Sequence, residues 1–137
     1  QPFSSERYAP FRFVIAYEEG TVNENQLLFE VARYNFSKFM VRNFDISTTK
    51  QGGIGMLHVI GLASFDEAYQ YMPRLSAAPE MAVKLRGLRA LLITDANLEL
   101  LLKYYSIDEY TLFYEQNFTN LPLLEEEKST LDEIIFE

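Results

Sequence analysis

His58 is the only histidine in a chain of 137 residues that has no cysteine. A Ser-His-Asp arrangement, or a general base working near neutral pH, could therefore be assembled only around that one side chain. It stands mid-strand between Leu57 and Val59. No HExxH pair and no second histidine offers metal-ligand spacing, so His58 reads as a structural residue. The missing thiols exclude a disulfide framework, a thiolate zinc site and thiol catalysis, and they fit cytosol and bacterial periplasm equally. The expectation is a chain that is not an enzyme, with no catalytic, cofactor-binding or metal residues.

Other spacings that resemble chemistry have plainer physical readings. Gly52-Gly53-Ile54-Gly55 joins two strand-like segments and is not followed by the Lys-Ser/Thr of a phosphate loop, so it reads as a tight reversal. The acids Glu18-Glu19 and Asp66-Glu67 fall at a turn and in the first turn of a helix, where solvation and the helix dipole favour carboxylates without any hydrolytic role. Asn35-Phe36-Ser37 and Asn117-Phe118-Thr119 match a glycosylation pattern by spacing alone, inside helical stretches. A net charge of -8 opposes binding to a phosphate backbone or an anionic membrane surface. The basic-aromatic signature of an RNA-recognition strand is missing from Gly55-Met56-Leu57-His58-Val59-Ile60, so nucleic acid is not an expected partner.

The elements that must position these residues follow from periodicity. Residues 1–10 hold two prolines and read as a leading linker that becomes ordered near Tyr8. Phe11, Phe13, Ile15 and Tyr17 alternate with Arg12, Val14 and Ala16 in the first strand. Thr21 with Glu24 is spaced as a capping box, opening a helix whose apolar stripe is Leu28, Val31, Ala32, Phe36 and Phe39. A second strand over 41–48 and a third over 54–63 form a hairpin at the two glycines. Ser64 and Glu67 repeat the capping spacing before a helix carrying Ala68, Tyr71, Met72 and Leu75, which Pro73 kinks or ends. A short restart after Pro79 carries Met81, Ala82 and Leu85 inward. A fourth strand over 89–94 precedes two helices, one with Leu98, Leu101, Leu102 and Tyr105 inward, the other opened by Ser106 and Glu109. The stretch 119–137 is an acidic tail.

The order strand, helix, strand, strand, helix, strand predicts an α+β fold, a ferredoxin-like βαββαβ sandwich over 11–118 with an added C-terminal helical pair. Strands one and three are apolar on both parities, so both sheet faces need covering, by the helices of 97–118 or by a second chain. On that ground Arg12, Val14, Met56, His58 and Ile60 on the second face are candidate interaction positions. Tyr110, Phe113 and Tyr114 join them as aromatic anchors, although helical spacing makes most of the terminal aromatics packing residues.

Three segments together resemble a known family. They are Arg33-Tyr34-Asn35-Phe36-Ser37-Lys38-Phe39, then Val59-Ile60-Gly61-Leu62-Ala63-Ser64-Phe65-Asp66-Glu67-Ala68-Tyr69-Gln70-Tyr71, and Leu92-Ile93-Thr94-Asp95-Ala96-Asn97 running on to Asp108-Glu109-Tyr110-Thr111-Leu112-Phe113-Tyr114-Glu115-Gln116-Asn117-Phe118. Over residues 8–118 the chain is similar to the C-terminal domain of Bacteroidetes tetratricopeptide-repeat proteins related to gliding-motility and type IX secretion lipoproteins. The resemblance implies a place at the end of a helical-repeat scaffold in the periplasm, lipid-anchored to the outer membrane, and brings no catalytic residues. The start at Gln1, without a methionine or a basic-then-apolar leader, is what a piece of a longer protein would have. The function expected is protein interaction or scaffolding, through a protein partner or self-association and without membrane insertion of this fragment. The alternatives are a SPOR-like peptidoglycan-binding module and a small-ligand sensor.

Overall fold

A computed structural model describes residues 3–39, 42–77 and 79–119; the acidic tail from residue 120 onward lies outside the described residues. The fold is α+β: a four-stranded antiparallel sheet with five α-helices. The strands are β1 (Phe11–Glu18), β2 (Asp45–Gln51), β3 (Ile54–Leu62) and β4 (Arg89–Thr94), in the order β2-β3-β1-β4. Helix α1 (Glu24–Lys38) joins β1 to β2, while α2 (Phe65–Ala77) and α3 (Pro79–Leu85) join β3 to β4. Helices α4 (Asp95–Tyr104) and α5 (Ile107–Tyr114) follow, and a π-helical stretch, Glu115–Thr119, continues α5.

The two central strands are buried on both sides, and the register sorts their side chains. Phe13, Ile15 and Tyr17 stand opposite Val59, Leu57 and Gly55 on one face. Val14 and Ala16 stand opposite His58 and Met56 on the other. The first face meets α1 and α2: Phe13 packs on Tyr71 and Phe11 on Phe65, and the Tyr17 hydroxyl donates to Glu24 at 2.7 Å. Gly55 makes room for that tyrosine, because a Cβ there would collide with the Tyr17 ring. The second face is crossed by α4, tied at one end by the Arg12 to Asp95 bond (2.7 Å) and at the other by the Gln51 amide donating to the Leu102 carbonyl (3.1 Å).

Helix starts follow the capping chemistry, with two differences from the sequence reading. Helix α1 is capped by Asn23, whose side chain accepts from the Gln26 amide. Thr21 instead turns its hydroxyl back to the Glu18 carbonyl. The stripe of α1 is rotated by one position: Leu27, Val31, Tyr34 and Asn35 are buried, whereas Phe36, expected in the core, is 82% exposed. Placing the start two residues late relative to Thr21 is enough to change which face of a 3.6-residue repeat is seated against the sheet. Strand β2 begins at Asp45 and continues to the turn, later than the 41–48 expected. The capping box of Ser106 and Glu109 is formed on both sides, as its spacing requires.

From Phe3 on, the segment read as a leading linker is part of the packed body. Phe3 is buried against Tyr105, Tyr110 and Phe113, at centroid distances of 4.7, 5.2 and 5.3 Å. Ser4 and Asn97 exchange two hydrogen bonds of 2.8 Å each. Arg7 accepts from the Phe65 amide through its carbonyl and pairs with Asp66 at 2.7 Å. Polar composition concealed one large apolar anchor and one reciprocal backbone clasp. Phe3→Ala is therefore expected to lower unfolding free energy by about 3 kcal/mol, as a core truncation does. Tyr8→Ala, at a fully displayed ring, should stay within about 0.5 kcal/mol. Urea unfolding of the two variants separates a packed strap from a linker.

Candidate functional site

The eight positions expected to present an interaction surface are mostly inside. Val14, Met56 and His58 are buried beneath α4, and Tyr110 and Phe113 are core residues of α5. Tyr114 and Ile60 are half-buried, and Arg12 keeps part of its guanidinium in water. The correction has one physical cause. The C-terminal helices occupy the second sheet face themselves, so the apolar residues there are consumed by the fold.

What the structure does bring together on that face is a polar row of Asp95, Arg12, His58 and Thr49. Arg12 donates through Nε to Asp95 and sets Nη1 3.4 Å from His58 Nδ1; His58 Nε2 lies 2.8 Å from the Thr49 hydroxyl. A guanidinium can only donate, which makes Nδ1 the acceptor and leaves the ring proton on Nε2, directed at Thr49. Burial pushes the histidine pKa below its ordinary value, the Arg12 charge lowers it further, and Asp95 opposes both. Each member of the row is hydrogen-bonded to a neighbour, and the hydroxyl beside the imidazole, that of Thr49, is the acceptor of its Nε2 proton.

The remaining features are equally committed. Gly52 and Gly53 hold the positive φ angles of +60° and +83° required by a two-residue hairpin turn. A groove of about 330 Å³ lies between that turn and the α4 to α5 junction, floored by Ile54, Met56, Leu101 and Leu102. Its one cation, Arg89, is bound to Asp108 at 2.8 Å and to Thr111 at 3.1 Å. Among the described residues, no group of three or more His, Asp or Glu side chains could hold a metal ion. No described helix is long and apolar enough to cross a membrane.

Two large outward-facing rings that the sequence reading did not place on a surface lie together on α1. Phe29 is 60% exposed and Phe36 82%. With Arg33 between them they form an i, i+4, i+7 stripe along one helix flank. The signal was present in the sequence: α1 carries two apolar stripes, and only one can face the sheet. Val83 on α3 and Leu112 on α5 add isolated exposed side chains. No family model, curated protein or solved structure matches this chain.

The buried imidazole makes stability depend on pH. The unfolded chain binds the histidine proton more readily than the folded one, so the contribution is complete above the unfolded value and is lost as pH falls through the lowered folded value. The melting temperature should drop as pH falls below about 6.5. His58→Gln, which keeps a hydrogen-bonding side chain without the titration, should flatten that slope. Thermal melts of both proteins from neutral to mildly acidic buffer check it.

Proposed function

We propose that this chain is a non-catalytic protein-interaction domain that docks through the outer flank of α1. The observation that carries the reading is the Phe29, Arg33, Phe36 stripe, two large rings held in water on a rigid helix while the sheet faces are filled by the chain's own helices. Aromatic side chains with an arginine between them are the residue types that dominate interface energetics. The partner that fits is a protein surface with an apolar centre and a basic rim, because a net charge of -8 steers cationic surfaces inward and repels acidic ones. The polar row around His58 supports the non-catalytic reading, since its hydrogen bonds are already spent.

We assign the ferredoxin-like arrangement, supported by the antiparallel order β2-β3-β1-β4 and by two crossings whose helices share one sheet face. The setting is the end of a periplasmic scaffold protein anchored at the outer membrane and serving a secretion or motility machine, supported by the resemblance of the Arg33, Val59 and Asp108 segments. Docking is preferred over a peptidoglycan-binding sheet because α4 lies across the face such a module would leave open.

The test is capture from a lysate of bacteria in which the chain occurs, with wild type and a Phe29→Ser, Phe36→Ser double variant compared. A defined protein should be retained by wild type and weakened by about tenfold or more in the variant, with both proteins melting alike. Equal retention by the two would remove α1 as the docking face, and retention of purified sacculi would replace the reading with a peptidoglycan one.

A further inference from the structure

The two edges of the sheet are finished in different ways. In an antiparallel ladder closed by a two-residue turn, the residues flanking the turn exchange both backbone bonds, and that role recurs at every second position. Asp45, Ser47, Thr49 and Gln51 therefore spend their N–H and C=O groups on β3, and Ile46, Thr48 and Lys50 direct theirs away from the sheet. The same parity carried through β3 and β1 turns the carbonyl of Leu92 outward on β4. There it is met: the Tyr110 hydroxyl donates to it at 2.7 Å. Arg89, bonded to Asp108 and Thr111, holds α5 along that edge. At the β2 edge no hydrogen bond reaches the outward groups of Ile46, Thr48 or Lys50 among the described residues.

We propose that this open edge pairs with the β2 strand of a second copy, antiparallel about a two-fold axis at Thr48, so that two four-stranded sheets become one. The sequence DISTTKQ selects both the occupant and the register. With the axis at Thr48 all three outward residues are used: Thr48 faces its counterpart, and Ile46 faces Lys50 in both directions. Ser47 then lies beside Thr49, and Asp45 beside Gln51, so no like charges face each other. Moving the axis to Lys50 sets two ammonium groups opposite one another, and moving it to Ile46 leaves Lys50 without a partner. Threonine pairs and mixed apolar and long-chain pairs are favourable across antiparallel strands. The strand holds no proline or bulge to block addition. A closed two-fold contact also ends the assembly at two copies, because it uses both β2 edges, while α5 is fastened against each β4 edge at Leu92 and Arg89.

This inference adds a self-contact to the interaction reading and stands without the α1 stripe, which is on a different surface. The experiment is sedimentation velocity of the whole chain from micromolar to millimolar concentration, at low and moderate salt, paired with amide exchange. Wild type should pass from monomer to dimer with rising concentration. The dimer should strengthen with salt, because screening relieves repulsion between two chains of net charge -8. The amides of Ile46, Thr48 and Lys50 should exchange freely in the monomer and be protected in the dimer. Thr48→Lys places like charges at the axis and should weaken dimerisation by about tenfold or more. The Phe29→Ser, Phe36→Ser protein should dimerise as wild type does, which separates failure here from failure of the docking face. A chain that stays monomeric to millimolar concentration, a dimer untouched by Thr48→Lys, or protection of those amides only by an added extended peptide would each overturn the proposal.

Discussion

Everything in this fold answers to the burial of β1 and β3 on both faces. Phe13, Ile15, Leu57 and Val59 leave no tolerance for water on one side, and Val14, Ala16 and Met56 leave none on the other. At roughly 25 cal/mol per Å² of apolar surface, exposing either face would cost more than a small domain's whole stability. Helices α1, α2 and α3 arise inside the strand connections and cover only the first face. The second has to be covered by chain that comes after the last strand, which is why β4 leads directly into α4 with Thr94 as the shared cap.

Turning from one face to the other brings the chain round the β4 edge, and the aromatic residues follow that route. Tyr110 meets the edge itself, Phe113 and Tyr105 enclose Phe3, and Phe118 reaches the first face, stacked on Phe65 at 4.9 Å and edge-on to Phe11 at 5.7 Å. The residues 3–8 then run beside this belt to the start of α2, fastened by Asn97 at one end and by Phe65 and Asp66 at the other. The two ends of the described chain are thus interlocked around one edge of the sheet. Removing either would expose the aromatic surface of the other.

The order of elements, the Ser106 cap of α5 and the need for a second cover were all legible in the sequence, because each is written in local periodicity or in a short polar signal. What was not legible depended on distant partners. Phe3 sits among serines and a proline and gains its meaning only from Tyr105 and Tyr110. The choice between the Phe36 and Tyr34 faces of α1 rests on where Asn23 starts the helix, a two-residue matter that periodicity cannot resolve when both stripes are apolar. The candidate surface failed for a related reason. Residues such as Val14 and Met56 are apolar because they are covered, and sequence does not say whether the cover is the same chain or another. Arg12 and His58 were correctly placed on one face, but their contact and the bond to Thr49 require the β2 register.

The edge of β2 is left without a cover among the described residues. Soluble proteins guard an exposed strand edge with proline, a bulge or a free lysine. Strand β2 has neither of the first two, and its lysine is drawn back: Lys50 lies 3.5 Å from Glu24 of α1, on the first sheet face. Just ahead of β2 the guard reappears, since Arg42 donates to the Gly61 carbonyl at 2.7 Å and is itself held by Glu67. The protection therefore falls at Gly61 of β3 and at Leu92 of β4, and none reaches Ile46 to Lys50 among the described residues. A chain that spends Tyr110 on the Leu92 carbonyl and Arg42 on the Gly61 carbonyl, and leaves β2 with its charge tied to Glu24, has the geometry of a strand kept available for pairing.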